Sequence, residues 1–269
     1  MALSKDLIRL LGQLARNESE VKLLNIYKGL PISCDTSIRS VGDFEISVPA
    51  NRQHIACLYY QRETYLQGES LPFLIRSQVL SLNLVKEAAV LANFEVAKPD
   101  IGKRTRIRVE PGEPLLAFVQ IASSGYELAV PLDDISAEGA GFYLEAPLFP
   151  VRQFQPGKEI RITVSFPDTV SQKIARQTTK PLKENRGTKP LSHTAGWQDG
   201  KVTISAHGKI ASVNPELESG RYRVGMQLYF QNLARTVILQ YISQRQAEII
   251  RDLRLLSDEL YSRTNNART

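Results

Sequence analysis

Two stretches of this sequence decide its fold: KRTRIRVEP at Lys103–Pro111 and DDISAEGAGFYLE at Asp133–Glu145. In the first, Arg104 and Arg108 have an RxxxR spacing, which lets both side chains face the same way in a strand or in a helix. This spacing carries little weight alone, because about one or two such pairs are expected by chance in a chain this rich in arginine. The RxxxR pattern becomes informative only in combination with the second stretch.

The second stretch contains a rarer pattern. Asp134, Ser136 and Gly139 form the motif D-x-S-x-x-G. The random expectation for this motif in a chain of this composition is about 0.1. Chance accounts poorly for both patterns occurring in this order and in a β-rich context. We therefore treat the two as parts of one candidate site.

Each pattern also has a purely structural interpretation. Arg104, Arg106 and Arg108 could form the solvated face of an edge strand. Asp134 and Ser136 could form an Asx or ST turn that leads into a strand. Of the three arginines, Arg106 fits the structural interpretation best. These alternatives stay open at the level of sequence.

The residue types in the two patterns suit a guanine nucleotide. Arginine matches phosphate oxygens and binds the O6/N7 edge of guanine bidentately. Aspartate supplies an acceptor for the N–H groups of guanine, which arginine cannot provide. Ser136 can donate to a phosphate or hold the turn at Asp134, and Gly139 lets the backbone approach closely. Arginines together with an acid at a turn describe such a site better than a surface for duplex DNA.

Short strands surround these stretches. From about Val21 to Phe94, β-branched and aromatic segments such as HIACLYYQ are separated by turn residues, and KEAAVLANF suggests a turn or two of helix. Six more strand-like segments follow, from PLLAFVQIAS to YRVGMQLYF. Apolar residues at helical spacing predict a helix over about 3–15 and another from about Ala234 to Tyr261.

We therefore expect a mainly β protein with two small antiparallel β-barrels in tandem, a short N-terminal helix and a long C-terminal helix. The expected divisions are a helix and first barrel over 1–98, a linker with the RxxxR motif over 99–110, a second barrel over 111–245 and the C-terminal helix over 235–269. Residues 169–200 lose all periodicity, and six basic residues there oppose two acidic ones. We interpret them as a basic insertion in the second barrel.

The composition is that of a soluble globular protein, with 42% apolar and 23% charged residues. No apolar run approaches the ~20 residues that cross a bilayer. Charges at Lys5, Asp6 and Arg9 interrupt any signal-peptide core. The chain is therefore expected in the cytoplasm, where Cys34 and Cys57 should be reduced and buried.

The sequence offers little for catalysis or metal binding. His54, His193 and His207 stand far apart and fit no metal-ligand spacing. There is no G-x-S-x-G motif and no Walker A loop. Asp133 and Asp134 are adjacent, but adjacent side chains in a strand point to opposite faces. We expect neither an enzyme nor a metal site. The net charge of +6 suggests a polyanionic partner without specifying one.

With these residues in place, the sequence resembles a known family. KRTRIRVEP followed by DDISAEGAGFYLE looks like the PilZ domain, the bacterial receptor module for cyclic di-GMP. The resemblance covers roughly residues 100–245 and includes RYRVGMQLYF and the closing helix. A β-domain that precedes PilZ just before the arginines is similar to the flagellar brake (YcgR-type) architecture. That part of the likeness rests on layout alone.

The resemblance implies a site and a role for each residue. Arg104 and Arg108 would grip the phosphates and the Hoogsteen edge of one guanine. The three residues of the second motif, Asp134, Ser136 and Gly139, would line the barrel surface against the rest of the ligand. Lys103 occupies a position that influences whether one or two ligand molecules bind. The insertion at 169–200 departs from the common pattern.

The leading hypothesis is a non-enzymatic cyclic di-GMP receptor. It would bind its ligand at the domain junction, change the arrangement of the two domains and control motility, adhesion or biofilm formation. The effector protein is not identified; the flagellar motor and the exopolysaccharide machinery are candidates. The C-terminal helix could also pair with another copy in a homodimer. The alternative is a basic β-barrel that binds nucleic acid, itself open to control by cyclic di-GMP, although RGG boxes and a helix-turn-helix are absent.

Overall fold

The computed structural model describes residues 2–97, 106–145, 153–167, 195–198, 201–216 and 219–266. The chain divides into two compact units. The first unit comprises Met1–Thr105 and Ala247–Thr269, and the second comprises Arg106–Gln246. None of the helices in the described part of the chain is long and apolar enough to span a membrane.

The first unit is built from two helices and an antiparallel sheet. The helices are α1 (Ala2–Arg16) and α2 (Arg52–Gln61). The strands are β1 (Glu20–Tyr27), β2 (Leu30–Ser37), β3 (Ser40–Val41), β4 (Glu45–Pro49), β5 (Glu63–Gln67), β6 (Ile75–Asn83) and β7 (Ala88–Val96). They form a seven-stranded sheet in the order β2-β1-β5-β6-β7-β4-β3. This sheet curls into a half-barrel; among its described strands, no pairing joins β2 to β3.

A single apolar core holds the first unit together. Helix α1 contributes Leu7, Leu11 and Leu14, whose spacing places them on one face. They pack in the same buried cluster as Ile46 and Leu66 from the sheet. The amphipathic helix predicted for about 3–15 is therefore confirmed.

Two local predictions in the first unit are wrong. The segment HIACLYYQ, predicted as a strand, lies in helix α2. Asn51 caps that helix by accepting a hydrogen bond from the backbone N–H of His54 at 2.9 Å. Arg62, with φ 59°, ends it in the left-handed conformation. The segment KEAAVLANF, predicted as helical turns, forms most of strand β7.

The second unit is a β-barrel. Its strands are β8 (Arg108–Val109), β9 (Leu116–Ile121), β10 (Glu127–Ser136), β11 (Gly139–Glu145), β12 (Glu159–Phe166), β13 (Ala195–Gln198), β14 (Lys201–Glu216) and β15 (Arg221–Tyr229). Antiparallel pairing runs through β10, β11, β15, β14, β12 and β9 and returns to β10, so six strands close the barrel. Strand β8 adds to β10, and β13 adds to β14.

One long helix, α3 (Asn232–Asn266), ends the described chain. Its first part belongs to the second unit, where Tyr241 packs on Phe166 with ring centroids 4.9 Å apart. In the same unit Arg245 donates to the backbone carbonyl of Glu110 at 2.8 Å. The part of α3 after Gln246 belongs to the first unit, where Asp252 pairs with Lys28 at 2.9 Å.

The predicted class is confirmed: the protein is mainly β, with a short N-terminal helix and a long C-terminal helix. The second block forms the closed barrel that its six strand-like segments predict. Most of the expected insertion at 169–200 lies outside the described residues; within it, Ala195–Gln198 forms strand β13. The predicted domain bounds stay predictions, because residues 98–105 also lie outside the described part.

Candidate functional site

The hairpin of β10 and β11 carries the D-x-S-x-x-G motif and contains a β-bulge. Leu132 pairs with Phe142, and the next pair joins Asp134 to Gly141, so Asp133 is an extra residue in β10. A bulge interrupts the regular alternation of side chains. As a result Asp133 and Asp134 both contact Arg223. The expectation that these adjacent acids point to opposite faces is therefore wrong.

Ser136 and Gly139 shape the turn of this hairpin. They pair with each other and leave a two-residue loop between them. The Ser136 hydroxyl donates to the Gly139 carbonyl at 3.1 Å and accepts the backbone N–H of Glu138 at 3.4 Å. A Cβ atom at Gly139 would overlap the backbone carbonyl of Met226 in β15. Ser136 thus makes the turn contact that the structural interpretation allowed, and Gly139 permits close strand pairing.

Strand pairing brings the arginine motif to the second motif. Arg108 in β8 lies directly opposite Ser136 in β10, and Val109 lies opposite Ile135. Arg108 Nη1 lies 3.1 Å from Asp134 Oδ1, although the two residues are 26 positions apart. Asp134 is 5% exposed, whereas the side chain of Arg108 is 27% exposed. A buried carboxylate therefore holds a cation that solvent can still reach.

A second arginine, Arg223 of β15, reaches the same carboxylate from the other side. Its Nη2 contacts Asp134 Oδ2 and lies 3.5 Å from Asp133 Oδ2. Strand β11 separates β15 from β10, and Gly141 lies between these groups. A Cβ atom at Gly141 would lie 3.1 Å from Arg223 Nη2 and 3.3 Å from each Asp134 carboxylate oxygen. The absence of a side chain at Gly141 gives Arg223 its path to Asp134.

Burial and neighbouring charges shift the pKa values of Asp133 and Arg223. Burial raises the pKa of the Asp133 carboxyl above its usual value, although Arg223 beside it acts in the opposite direction. Burial alone would lower the pKa of Arg223, but Asp134 and Asp133 raise it above the usual value. The Arg223 guanidinium is therefore a permanent charge on this part of the barrel.

An aromatic ring extends the cluster along β11. The guanidinium of Arg221 lies 4.5 Å from the centre of the Tyr143 ring, and that of Arg223 lies 6.0 Å from it. Arg221 also forms an ion pair with Glu216 at 3.0 Å. Burial, followed by the nearby Asp133 carboxylate, raises the pKa of Tyr143. The result is a surface of arginines, one aromatic ring and glycine backbone.

Not all of the predicted site residues can be placed. Arg108, Asp134, Ser136 and Gly139 come together at β8, β10 and β11. Lys103 and Arg104 lie outside the described residues. Arg106 is exposed and forms an ion pair with Glu138 at 2.8 Å, a surface contact apart from the carboxylate cluster.

Sequence reasoning missed three residues of the cluster: Gly141, Tyr143 and Arg223. The segments GAGFYLE and RYRVGMQLYF contain them, and both were predicted as strands. Their side-chain contacts depend on the register between strands, which the sequence alone does not fix. Within the described residues, no group of three or more His, Cys, Asp or Glu side chains could hold a metal ion.

The chain was compared with known proteins. No protein-family model matches the sequence, and no curated protein matches it. Solved structures do match. The MrkH–c-di-GMP complex of K. pneumonia is 11% identical and covers 93% of this chain and 96% of its own, with a TM-score of 0.41. YcgR from Escherichia coli in complex with c-di-GMP is 11% identical and covers 94% and 93%, with a TM-score of 0.37.

A third match concerns one domain. The PilZ domain of YcgR from Escherichia coli with c-di-GMP is 14% identical and covers 54% of this chain and 93% of its own, with a TM-score of 0.33. The chain is thus similar to these solved structures at 11–14% sequence identity. At these identities the likeness assigns no role to any residue.

Proposed function

We propose that this protein is a non-enzymatic receptor for cyclic di-GMP. The observation that carries the proposal is the pairing of Arg108 with Ser136 and the 3.1 Å contact between Arg108 and Asp134. These contacts join Arg108 of the RxxxR pattern to Ser136 and Asp134 of the D-x-S-x-x-G pattern. A part-exposed guanidinium, a carboxylate and a tight glycine turn are the groups that a guanine dinucleotide needs.

Each residue has a role in this proposal. Arg108 binds a phosphate and the Hoogsteen edge of one guanine, with Arg104 as the second arginine and Lys103 beside it. Asp134 accepts hydrogen bonds from guanine N–H groups. Ser136 and Gly139 hold the turn that presents Asp134. The proposal assigns no role to a metal or other cofactor.

The position of the RxxxR motif in the chain supports a regulatory role for ligand binding. In the sequence, Arg104 and Arg108 both lie in the predicted linker over 99–110, between the two expected barrels. A ligand that binds both arginines favours one arrangement of the units and shifts the population toward it. The changed surface then acts on an effector protein that controls motility, adhesion or biofilm formation.

One observation favours the second candidate, a nucleic-acid-binding barrel. Phe118 and Tyr229 are 55% and 53% exposed on strands of the barrel. Arg161 pairs with His207, which in turn pairs with Tyr229, so a cation on β12 and an aromatic ring on β15 lie in one register, two strands apart. Exposed rings and cations on a β-surface can bind single strands. Strong binding to single-stranded RNA or DNA with steep salt dependence would support this candidate.

The test of the receptor proposal is isothermal titration with cyclic di-GMP. The wild type should bind with micromolar or tighter affinity, and the Arg104→Ala/Arg108→Ala variant should give no binding heat. Arg106→Ala is the matched control, because Arg106 lies between the two arginines and pairs only with surface Glu138 among the described residues. It should stay within about threefold of the wild type, since exposed ion pairs contribute little. No heat from the folded wild type would refute the receptor proposal.

A further inference from the structure

The Asp134 carboxylate has two cationic partners that contact different oxygens. Arg108 Nη1 lies nearer Oδ1, at 3.1 Å, than Oδ2, at 3.5 Å. Arg223 Nη2 contacts Oδ2. Asp134 is almost fully buried, and a buried carboxylate that loses its only partner costs several kcal/mol of stability, roughly 3–5. A site in which Arg108 must turn toward a ligand therefore needs another cation on Asp134.

We propose that Arg223 is a positioning residue that holds and orients the Asp134 carboxylate while Arg108 binds the ligand. This inference rests on the proposed function. Without ligand, Arg108 and Arg223 share the carboxylate. When a ligand phosphate takes Arg108, Oδ1 becomes free to accept an N–H of guanine, and Oδ2 stays on Arg223. The ligand thereby exchanges one ion pair for a hydrogen bond without leaving a buried charge alone.

The backbone is built to allow this contact. The bulge at Asp133 turns two successive carboxylates toward Arg223. Gly141 leaves open the path across β11. Tyr143, paired with Arg223 on the neighbouring strand, lies beside the guanidinium with 6.0 Å to its ring centre. The bulge at Asp133, the glycine at position 141 and the Tyr143 ring thus all favour the contact between Arg223 and Asp134, on the side of Asp134 away from β8.

Among the described residues, the charged groups near Asp134 lie on three strands. Strand β8 contributes Arg108, β10 contributes Asp133 and β15 contributes Arg223. When a ligand phosphate takes Arg108, Arg223 is the described cation that stays on the buried Asp134 carboxylate.

The test measures cyclic di-GMP affinity by isothermal titration for the wild type, Arg223→Gln and Arg223→Lys. Arg223→Gln should weaken binding about tenfold, whereas Arg223→Lys should restore most of the loss, because a lysine keeps a cation beside Asp134. Arg221→Gln is the matched control, because Arg221 stacks on the same Tyr143 and pairs with Glu216. It should stay within about threefold of the wild type.

A second variant tests the contact without changing a charge. Gly141→Ala would place a Cβ atom 3.1 Å from Arg223 Nη2, and it should weaken binding about fivefold. Circular dichroism confirms that each variant is folded; if Arg223→Gln does not fold, Gly141→Ala and Arg223→Lys decide the result. Wild-type affinity in Arg223→Gln and Gly141→Ala, or an Arg223→Lys variant that binds no better than Arg223→Gln, overturns the positioning role. A folded wild type that does not bind overturns the receptor proposal itself.

Discussion

Each unit of the molecule buries a polar network, and the two networks differ in what they leave available. In the first unit, Asn25 donates to Gln61 Oε1 at 2.6 Å and to the Glu63 carbonyl at 2.7 Å, and it accepts the Thr64 hydroxyl at 2.7 Å. Gln61 in turn donates to the Ile26 carbonyl. Asn25, the residue at its centre, is uncharged and satisfied by protein groups. Such a network specifies a fold.

In the second unit the network of Asp134 is charged, and both of its arginines remain partly exposed. The buried carboxylate holds these cations without using all of their donors, since each guanidinium has five N–H groups. Burial of a polar group alone therefore does not indicate a binding site. Of the two networks described, the one around Asp134 has a buried charge whose partners still face solvent, as the proposed site requires.

The largest effect that follows concerns Asp134 itself. Asp134→Ala should weaken cyclic di-GMP binding about 1,000-fold, because it removes the guanine acceptor and leaves Arg108 and Arg223 without their shared partner. Isothermal titration measures the loss, with circular dichroism as a check of folding. If the folded variant bound as the wild type does, the contrast between the two networks would have no functional meaning.

A substitution at Gly139 tests the close pairing of β11 with β15 beside the proposed site. Gly139→Ala should lower the free energy of unfolding by about 3 kcal/mol, because its Cβ atom would overlap the Met226 carbonyl and force β11 and β15 apart. Urea denaturation measures the change. Gly12→Ala in α1 is the control, since the nearest atom to its Cβ, Arg16 Nη1, is 3.9 Å away. Equal stability of the two variants would contradict the role given to Gly139.

Substitution of Asn25 should lower stability without weakening ligand binding, in contrast to the loss of binding expected for Asp134. Asn25→Ala should lower the free energy of unfolding by about 2 kcal/mol, because Gln61 and Thr64 lose a buried partner. Its affinity for cyclic di-GMP should stay within about twofold of the wild type, since each hydrogen bond described for this network joins residues of the first unit. Titration and urea denaturation of the same preparation decide the matter. A variant that folds but fails to bind would break the contrast.

His54 predicts a pH dependence of stability in the first unit. It is fully buried, neither ring nitrogen has a hydrogen-bond partner among the described residues, and burial lowers its pKa from 6.5 to about 4. As the pH falls below 6.5, the unfolded chain takes up the proton first, so the free energy of unfolding decreases until the folded pKa is reached. The loss should be about 2 kcal/mol between pH ~6.5 and pH ~4.5.

Urea denaturation at several pH values checks this loss. His54→Leu should remove the decrease that is specific to His54, whereas His207→Gln should keep it, because His207 is exposed on the barrel. The same decrease in both variants would show that another group is responsible.

The fold could be predicted from the sequence wherever a pattern was long or was repeated. Helix α1 followed from its leucine spacing, and the strands of the second unit followed from their alternation and turns. HIACLYYQ failed because a short apolar run does not distinguish a buried strand from a buried helix. There the cap at Asn51 and the left-handed Arg62 determine the structure. KEAAVLANF failed because helix propensity was overridden by pairing with β4 and β6.

The candidate site could be predicted only in part, for a related reason. Arg108, Asp134, Ser136 and Gly139 have fixed spacings that can be recognised in one dimension. Arg223, 89 positions from Asp134, has no such spacing, and its contact depends on strand register and on a bulge. The bulge is also why two adjacent carboxylates meet one arginine, against the alternation of a regular strand.

In the receptor proposal, the barrel selects a guanine dinucleotide through an arginine and a carboxylate. The most direct test is isothermal titration of the wild type with cyclic di-GMP beside cyclic di-AMP. Adenine has an amino donor where guanine has the O6 acceptor, and it lacks the N1–H and N2–H donors. Arg108 would therefore keep only N7 as an acceptor on the base, and Asp134 would lose the N–H groups that it accepts. We predict micromolar or tighter binding of cyclic di-GMP and no measurable heat with cyclic di-AMP. Equal binding of the two dinucleotides, or no binding of either by the folded protein, would refute the proposed guanine-specific receptor.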